Sequence, residues 1–303
     1  DIIAEVNLMQ KIGPLLIVEG ANNSKVPFSR SLYIESEKLL IDTGAEAESL
    51  VKLEKEKGIN IIYNTHYHPD HTRHNYLFPS TKKLINRVEF DTCHSLEKVA
   101  NQNGITQEWG LEGMKEWAES IPESWIKGIS GFNGSYEYER EMDYEHIKLI
   151  FLHTPGHTKG YSCPYFPDLG VVYTGDYDMT SFGPWYNGAD GSIEQFIQSG
   201  ERLLSLDAKT YITGHQKGIF TKEKFKEEMV QFLAIIEKRD EIITQYVQKG
   251  LTFEEIASIG IFYPKKALDN KILYTWERIG IRKHLKRLGY STEGANHNLV
   301  QKQ

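Results

Sequence analysis

The sequence predicts an α/β fold followed by a helical C-terminal segment. Three observations carry that expectation. Short apolar runs of β type end repeatedly in turns that hold glycine and a His or Asp. Stretches with helical apolar spacing separate those runs, as at 47–57 and 192–206. After Gly218 the β-type runs stop and helical spacing continues to about residue 288. With 303 residues and 40% hydrophobic content, the chain can bury one large core and a smaller one. The expected division is 1–219 and 220–303.

In chain order, residues 15–18 form a first β run and 20–24 a turn cluster. Residues 31–35 and 38–41 read as a hairpin turning at Ser36 and Glu37, and Asp42-Thr43-Gly44 follows as a turn. Residues 47–57 read as an amphipathic helix, with Leu50, Val51 and Leu53 on one face and Gly58 at its end. Ile59 to Tyr63 is a buried strand. Residues 89–146, with Trp109, Trp117 and Trp125, are less patterned. Helical spacing there is clear only at 112–120, and 137–141 is a polar strand or loop.

Residues 147–153, 171–173 and 211–212 are further β runs. The loop at 177–188 holds Tyr177, Phe182, Trp185 and Tyr186 with Gly183 and Pro184, so no regular element is expected. It is either a substrate-pocket wall or a loop pinned by its own aromatics. Ser192 caps a helix whose apolar face is Ile193, Phe196, Ile197, Leu203 and Leu204. In the C-terminal segment, 222–249 is a long helix. Thr252 with Glu255 forms a capping box. Residues 274–288 form a helix with a basic end: Arg278, Arg282, Lys283, Lys286 and Arg287.

The formal net charge is -7 and the pI about 5.9, which gives no sign of a nucleic-acid or acidic-membrane partner. From Lys217 onward, however, 16 Lys/Arg stand against 11 Asp/Glu, so the tail is basic on an acidic chain. The two cysteines, Cys93 and Cys163, build no disulfide framework, and Cys163 reads as a core residue. No apolar run has transmembrane length. Residues 1–5 lack a basic signal-peptide start, so a cytoplasmic protein is expected.

One stretch carries the chemistry: His66-Tyr67-His68-Pro69-Asp70-His71. Three imidazoles and a carboxylate fall within six residues, just after the strand 59–63. Imidazole is the commonest metal ligand, and His with Asp suits zinc or iron. Strand ends are where α/β sheets bind ligands. In extended chain, residues i and i+2 point the same way, so His66 and His68 can hold one metal. Pro69 turns the chain and directs Asp70 and His71 toward a second.

This stretch resembles the first motif of the metallo-β-lactamase superfamily. Thr154-Pro155-Gly156-His157, Thr174-Gly175-Asp176 and Thr213-Gly214-His215 are similar to its later motifs, each after a β run. Asp42-Thr43-Gly44 is similar to its early turn. The resemblance covers about residues 10–220. It implies an αβ/βα sandwich with all ligands on one edge. It places His66, His68 and His157 on one metal, Asp70, His71 and His215 on a second, and Asp176 between them. Asp42 would support the metal loops without ligating, although a plain turn aspartate is an equal reading of the local sequence.

Arg73 and His74 stand where relatives have a small turn. They either cap a helix start or offer Arg73 to an anionic substrate. Tyr67, Arg73, Tyr177, Phe182, Trp185 and Tyr186 are the candidate substrate contacts.

Two ions in such a site lie roughly 3.5–4 Å apart and supply a hydroxide at neutral pH. Two zinc ions are expected, with iron or manganese as alternatives. Asp70 and Asp176 are the candidate catalytic carboxylates. The favoured reading is a hydrolase of a small ester, thioester or lactone, similar to glyoxalase II or the acyl-homoserine lactonases. The glutathione-contacting stretch of glyoxalase II is not evident. A second reading is a single-stranded RNA endoribonuclease, because residues 251–256 resemble the opening of a winged helix and a ribonuclease branch carries a similar module. A third is a mononuclear-iron persulfide dioxygenase. A small-molecule substrate is the expected partner, RNA is less favoured, and a homodimer stays open.

Overall fold

A computed structural model describes residues 9–291 and 300–301. The opening residues 1–5, read above for a signal peptide, lie outside the described residues. Two sheets stack face to face with helices on both outer faces. The first holds β1 (Met9–Ile12), β2 (Leu15–Val18), β3 (Ser31–Ile34), β4 (Leu39–Ile41), β5 (Ile61–Asn64), β6 (Lys82–Asn86) and β7 (Gly134–Tyr136), side by side in chain order. The second holds β8 (Met142–Asp143), β9 (Lys148–His153), β10 (Ser162–Phe166), β11 (Val171–Gly175), β12 (Thr210–Thr213) and β13 (Ile219–Thr221), again in chain order. β4 through β7 are parallel, as are β11 and β12, while the other pairs are antiparallel.

The helices are α1 (Ala21–Ser24), α2 (Ala47–Lys57), α3 (Pro69–Thr72), α4 (Arg87–Cys93), α5 (Leu96–Asn103), α6 (Ile105–Ser120), α7 (Glu123–Ile129), α8 (Ile193–Ser205), α9 (Lys222–Gln248), α10 (Phe253–Ala257) and α11 (Lys271–Arg287). α1 is a tight turn, since Asn22, Asn23 and Ser24 all have positive φ.

Strand alternation builds the sandwich. Ile17, Tyr173 and Ile212 point between the sheets. Their neighbours Val18, Val172 and Tyr211 point outward, the first under α2, the others under α8 and α9. The central strands are buried on both faces, which is why their sequences are nearly all apolar.

The 112–120 helix is longer than its sequence pattern. It starts at Ile105 and kinks at Gly110, whose φ is 69°. Together α4 to α7 fill the poorly patterned stretch and pack Trp117, Val99 and Ile129 beneath Tyr67. The polar 137–141 run is a loop. α11 begins at Lys271, capped by Asn270, three residues before its expected start. The capping box of Thr252 and Glu255 forms and opens a short helix as read, the five-residue α10.

The core does not stop near residue 219. Phe225, Met229, Phe232 and Ile236 of α9 join Phe196 and Leu203 of α8 in one cluster, and Phe225 stacks on Tyr211 at 3.8 Å. Among the described residues, no helix is long and apolar enough to cross a membrane.

Candidate metal centre

Five chain segments deliver side chains to one edge of the sandwich. Asp42 follows β4, and His66, His68, Asp70 and His71 follow β5. His157 follows β9, Asp176 follows β11 and His215 follows β12. Parallel strands place their carboxyl ends on the same side, so β4, β5 and β11, β12 converge without long loops.

Two groups form: His66, His68 and His157, and Asp70, His71, Asp176 and His215. Asp176 touches both. Its Oδ2 lies 3.2 Å from His66 Nε2 and 3.1 Å from His157 Nε2. Its Oδ1 lies 3.4 Å from His71 Nε2 and 2.8 Å from His215 Nε2. His215 Nε2 is also 3.4 Å from Asp70 Oδ2.

The outer ring nitrogens fix which nitrogen faces inward. His71 Nδ1 donates to Asp42 Oδ2 at 2.6 Å. His157 Nδ1 donates to the Trp185 carbonyl at 2.9 Å, and His215 Nδ1 to those of Ser24 and Phe28, each at 2.9 Å. His66 Nδ1 donates to Thr65 Oγ1, whose hydroxyl donates to Asp42. In its neutral form each of these rings would aim the Nε2 lone pair at the centre. His68 is reversed, with Nδ1 inward and 2.9 Å from His157 Nε2.

These residues fit a metal. The inward Nε2 atoms of His66, His71 and His215, and Asp176 Oδ2, are buried without a hydrogen-bond partner. Lone pairs packed this closely repel unless a cation lies among them. Two ligands about 2.0–2.1 Å from a tetrahedral ion sit about 3.3 Å apart, close to the spacings here. Burial and neighbouring imidazoles hold His66 and His68 well below the usual histidine range, which keeps their lone pairs free.

The glycines of the motifs are steric requirements. Gly175 has φ +53, and a Cβ there would meet Tyr161 Oη at 2.0 Å. That hydroxyl accepts from Asp176 N at 2.6 Å and donates to Thr174 O at 2.9 Å, setting the aspartate's direction.

The predicted substrate contacts divide. Trp185 lies on the centre, its ring 5.2 Å from His68 and 5.1 Å from His157. Phe182 is half-buried beside Tyr263. Tyr67, Tyr177 and Tyr186 are corrections: all three are buried in the core. Tyr177 Oη lies against the carbonyls of Thr154, Pro155 and Phe196, and Tyr186 Oη against His284 and Arg239. A phenol ring supplies apolar bulk wherever its hydroxyl finds an internal partner, so adjacency to a ligand in sequence misled.

Arg73 closes α3, and His74 stands at the N-cap position of the short 3₁₀ helix Asn75–Leu77 without a side-chain cap bond. The Arg73 guanidinium stacks 4.2 Å over Phe28 and donates to the Pro27 carbonyl, so it is already engaged. The basic helix α11 is likewise engaged. Arg278 pairs with Glu108 and Glu254, Arg282 with Glu108, and Arg287 with Asp240 and Glu194. Lys283 donates to the carbonyls of Tyr186, Gly188 and Gly191.

Sequence reasoning missed Thr65 and Glu89. Glu89 is fully buried and accepts from Thr158 Oγ1, Asn86 Nδ2 and Gly160 N, pinning the turn that carries His157. Burial pushes its carboxyl up to about 8, against those hydrogen bonds. The Asn86-x-x-Glu89 spacing signals a helix cap, but gave no hint of the distant turn.

The fold and the cluster together define a two-sheet α/β sandwich with two adjacent candidate metal-binding groups at its rim. The chain belongs to the metallo-beta-lactamase superfamily, whose family profile matches residues 29–89 and 137–215. The gap in that match holds the helices α4 to α7. The hydroxyacylglutathione hydrolase of Pelagibacter ubique (strain HTCC1062) is 27% identical over 187 residues, 60% of this chain and 62% of that protein. That of Brucella ovis is 28% identical over 132 residues, 42% of this chain and 47% of its own. The chain thus matches under two thirds of the length of either relative.

Among solved structures, a metallo-beta-lactamase family protein from Thermus thermophilus aligns with TM-score 0.62 and 18% identity, covering 97% of both chains. A beta-lactamase domain protein from Burkholderia ambifaria aligns with TM-score 0.66 and 11% identity, over 99% of this chain and 94% of that one. These share the fold over nearly the whole chain, C-terminal helices included.

Proposed function

We propose that this metallo-hydrolase cleaves a small ester, thioester or lactone, with two zinc ions as the resident metals and iron or manganese as alternatives. The observation that carries the reading is Asp176, one carboxylate whose two oxygens face the two ligand groups separately. An anion in that place is suited to hold two cations at a fixed spacing. Metals bound there would lower the pKa of a water and polarise the scissile carbonyl.

The chain's own residues supply the rest. Asp70 turns Oδ2 toward His215 and keeps its side chain 17% exposed. That makes it the group to orient the attacking water, hold its proton and return it to the leaving thiolate or alkoxide. Trp185 excludes solvent beside His68 and His157. The relatives named hydroxyacylglutathione hydrolase favour an acyl substrate over a phosphodiester. The pairing of Arg278, Arg282 and Arg287 with internal carboxylates speaks the same way, since phosphate binding needs free cations.

The test measures metal content by mass spectrometry and turnover on thioesters, lactones, single-stranded RNA and a persulfide. About two zinc per chain with acyl turnover is expected. Asp176→Asn should lower both occupancy and turnover, the latter on the order of 10³-fold or about 4 kcal/mol. About one iron per chain with oxygen uptake on the persulfide, or metal-dependent RNA cleavage without acyl turnover, would overturn the reading.

A further inference from the structure

The loop after Asp176 is held mostly from far along the chain. Arg239 of α9 donates to the carbonyls of Pro184 at 2.6 Å and Phe182 at 2.7 Å, and to Tyr186 Oη at 3.1 Å. Lys283 of α11 reaches three more carbonyls between 186 and 191. Asn187 Nδ2 donates to the Trp276 carbonyl at 2.9 Å. Trp185 Nε1 donates to Tyr263 Oη at 2.7 Å, and the Trp276 ring stands edge-on to Trp185 at 5.5 Å. Arg239 is only 4% exposed, and its plane also covers Phe262 at 4.1 Å. Two cations thus satisfy five main-chain carbonyls in a loop that forms no sheet or helix of its own.

The result is an indole with no freedom to swing away. Its polar edge is consumed by Tyr263, and one side rests on Trp276. The rest, half-buried, faces His68 and His157. Such a surface has no hydrogen-bond donor left for a substrate. What it offers a substrate is apolar bulk and a π face.

We propose that Trp185 is the specificity-determining residue of the site, selecting substrates with an apolar acyl group of several carbons, and that Arg239 is the positioning residue that holds it there. This rests on the acyl-hydrolase reading and extends it to a substrate class. The two can fail separately. Rigid placement matters because a side chain ordered in advance costs no entropy when substrate arrives. Arg239 serves better than lysine would, since its planar fork reaches three acceptors at once.

The test compares kcat and KM for S-acetyl and S-hexanoyl N-acetylcysteamine, using the parent, Trp185→Ala and Arg239→Lys. The parent should prefer the hexanoyl thioester. In Trp185→Ala that preference should fall about 10-fold, through a raised KM for the hexanoyl compound. Metal content should be kept, and the acetyl rate should fall less than the hexanoyl rate. Arg239→Lys, which keeps the charge but loses the fork, should move the same ratio in the same direction.

An unchanged ratio in Trp185→Ala, with the parent hydrolysing both compounds, would overturn the inference while leaving the hydrolase reading intact. If the parent hydrolyses neither, calorimetric titration with hexanoate and acetate decides. Tighter hexanoate binding that is lost in Trp185→Ala supports the wall, and equal binding of the two acids overturns it.

Discussion

Two regions meet at the same rim and are built on opposite plans. The metal cradle is held by its own strands. Asp42, one residue past β4, receives hydrogen bonds from Thr65 N at 2.8 Å and His71 Nδ1 at 2.6 Å, both on the neighbouring strand's loop. The aromatic loop at 177–191 is held mostly by Arg239 and Lys283, roughly 50 to 100 residues further on. The loop therefore depends on the C-terminal helices, whereas the cradle, which touches that loop through the bond from His157 Nδ1 to the Trp185 carbonyl, depends on them less. Asp42 adopts φ 58, a strained left-handed backbone, which the bonds it accepts stabilise.

The strongest way to break that comparison is Lys283→Met. Burial lowers this lysine to about 8 and raises its neighbour Asp190 to about 7, so the two are matched inside the protein. Removing the ammonium leaves three carbonyls without their donor and buried Asp190 without a nearby positive charge, with an expected loss of about 3 kcal/mol in unfolding stability. Urea denaturation measures it. Metal content of the folded fraction should stay at the parental level, and a loss of metal would show that the two regions are not independent.

Asp42→Ala is the reciprocal change. It removes the partner of His71 and, through Thr65, of His66. Metal affinity by chelator competition should fall about 10–100-fold. The acyl-chain preference should stay, because Trp185 is held elsewhere. Parental affinity would mean that the cradle is supported by something other than this carboxylate.

Glu89→Gln sharpens the picture on the metal-one side. The Glu89 carboxyl is raised from 4.5 to about 8 by burial. In the unfolded chain it ionises near 4.5, while in the fold it stays protonated, so unfolding releases a proton. Its contribution is fully present below about 4.5 and is lost as pH rises toward 8. The slope is about 1.4 kcal/mol per pH unit for this one group. Glutamine cannot ionise. The parent's stability should therefore decline relative to Glu89→Gln from about pH 5 to about pH 8. Parallel curves would show that Glu89 ionises freely in the fold.

The smallest expected effect is at Lys286, an exposed residue of the basic end of α11. Lys286→Glu should change stability by no more than about 0.5 kcal/mol and leave acyl turnover alone. A collapse in substrate affinity would return the basic helix to the functional surface.

Much of the cradle was legible because its signals are local. His66, His68, Asp70 and His71 lie within six residues. The later Gly-His and Gly-Asp turns each follow an apolar run that could only be a buried strand. Spacing along one loop decides which way neighbouring side chains point, and that is a property of the chain itself. The basic tail shows the limit. Its composition suggests a nucleic-acid surface, yet Arg278 and Arg282 meet Glu108, some 170 residues earlier, in α6. Composition counts charges but does not say which are spent on each other.

By itself, then, the sequence determined the strands that lead into the ligand-type turns, the residue types there and their order, because periodicity and steric turn requirements act over a few residues. Only the tertiary structure decided that Tyr67, Tyr177 and Tyr186 are core while Trp185 lines the site. It also decided that Glu89 bonds the turn that carries His157, and that Arg239 and Lys283 hold the loop that carries Trp185. Those outcomes depend on which groups become neighbours when two sheets and their helices pack, and burial and pairing between distant segments leave no local pattern to read.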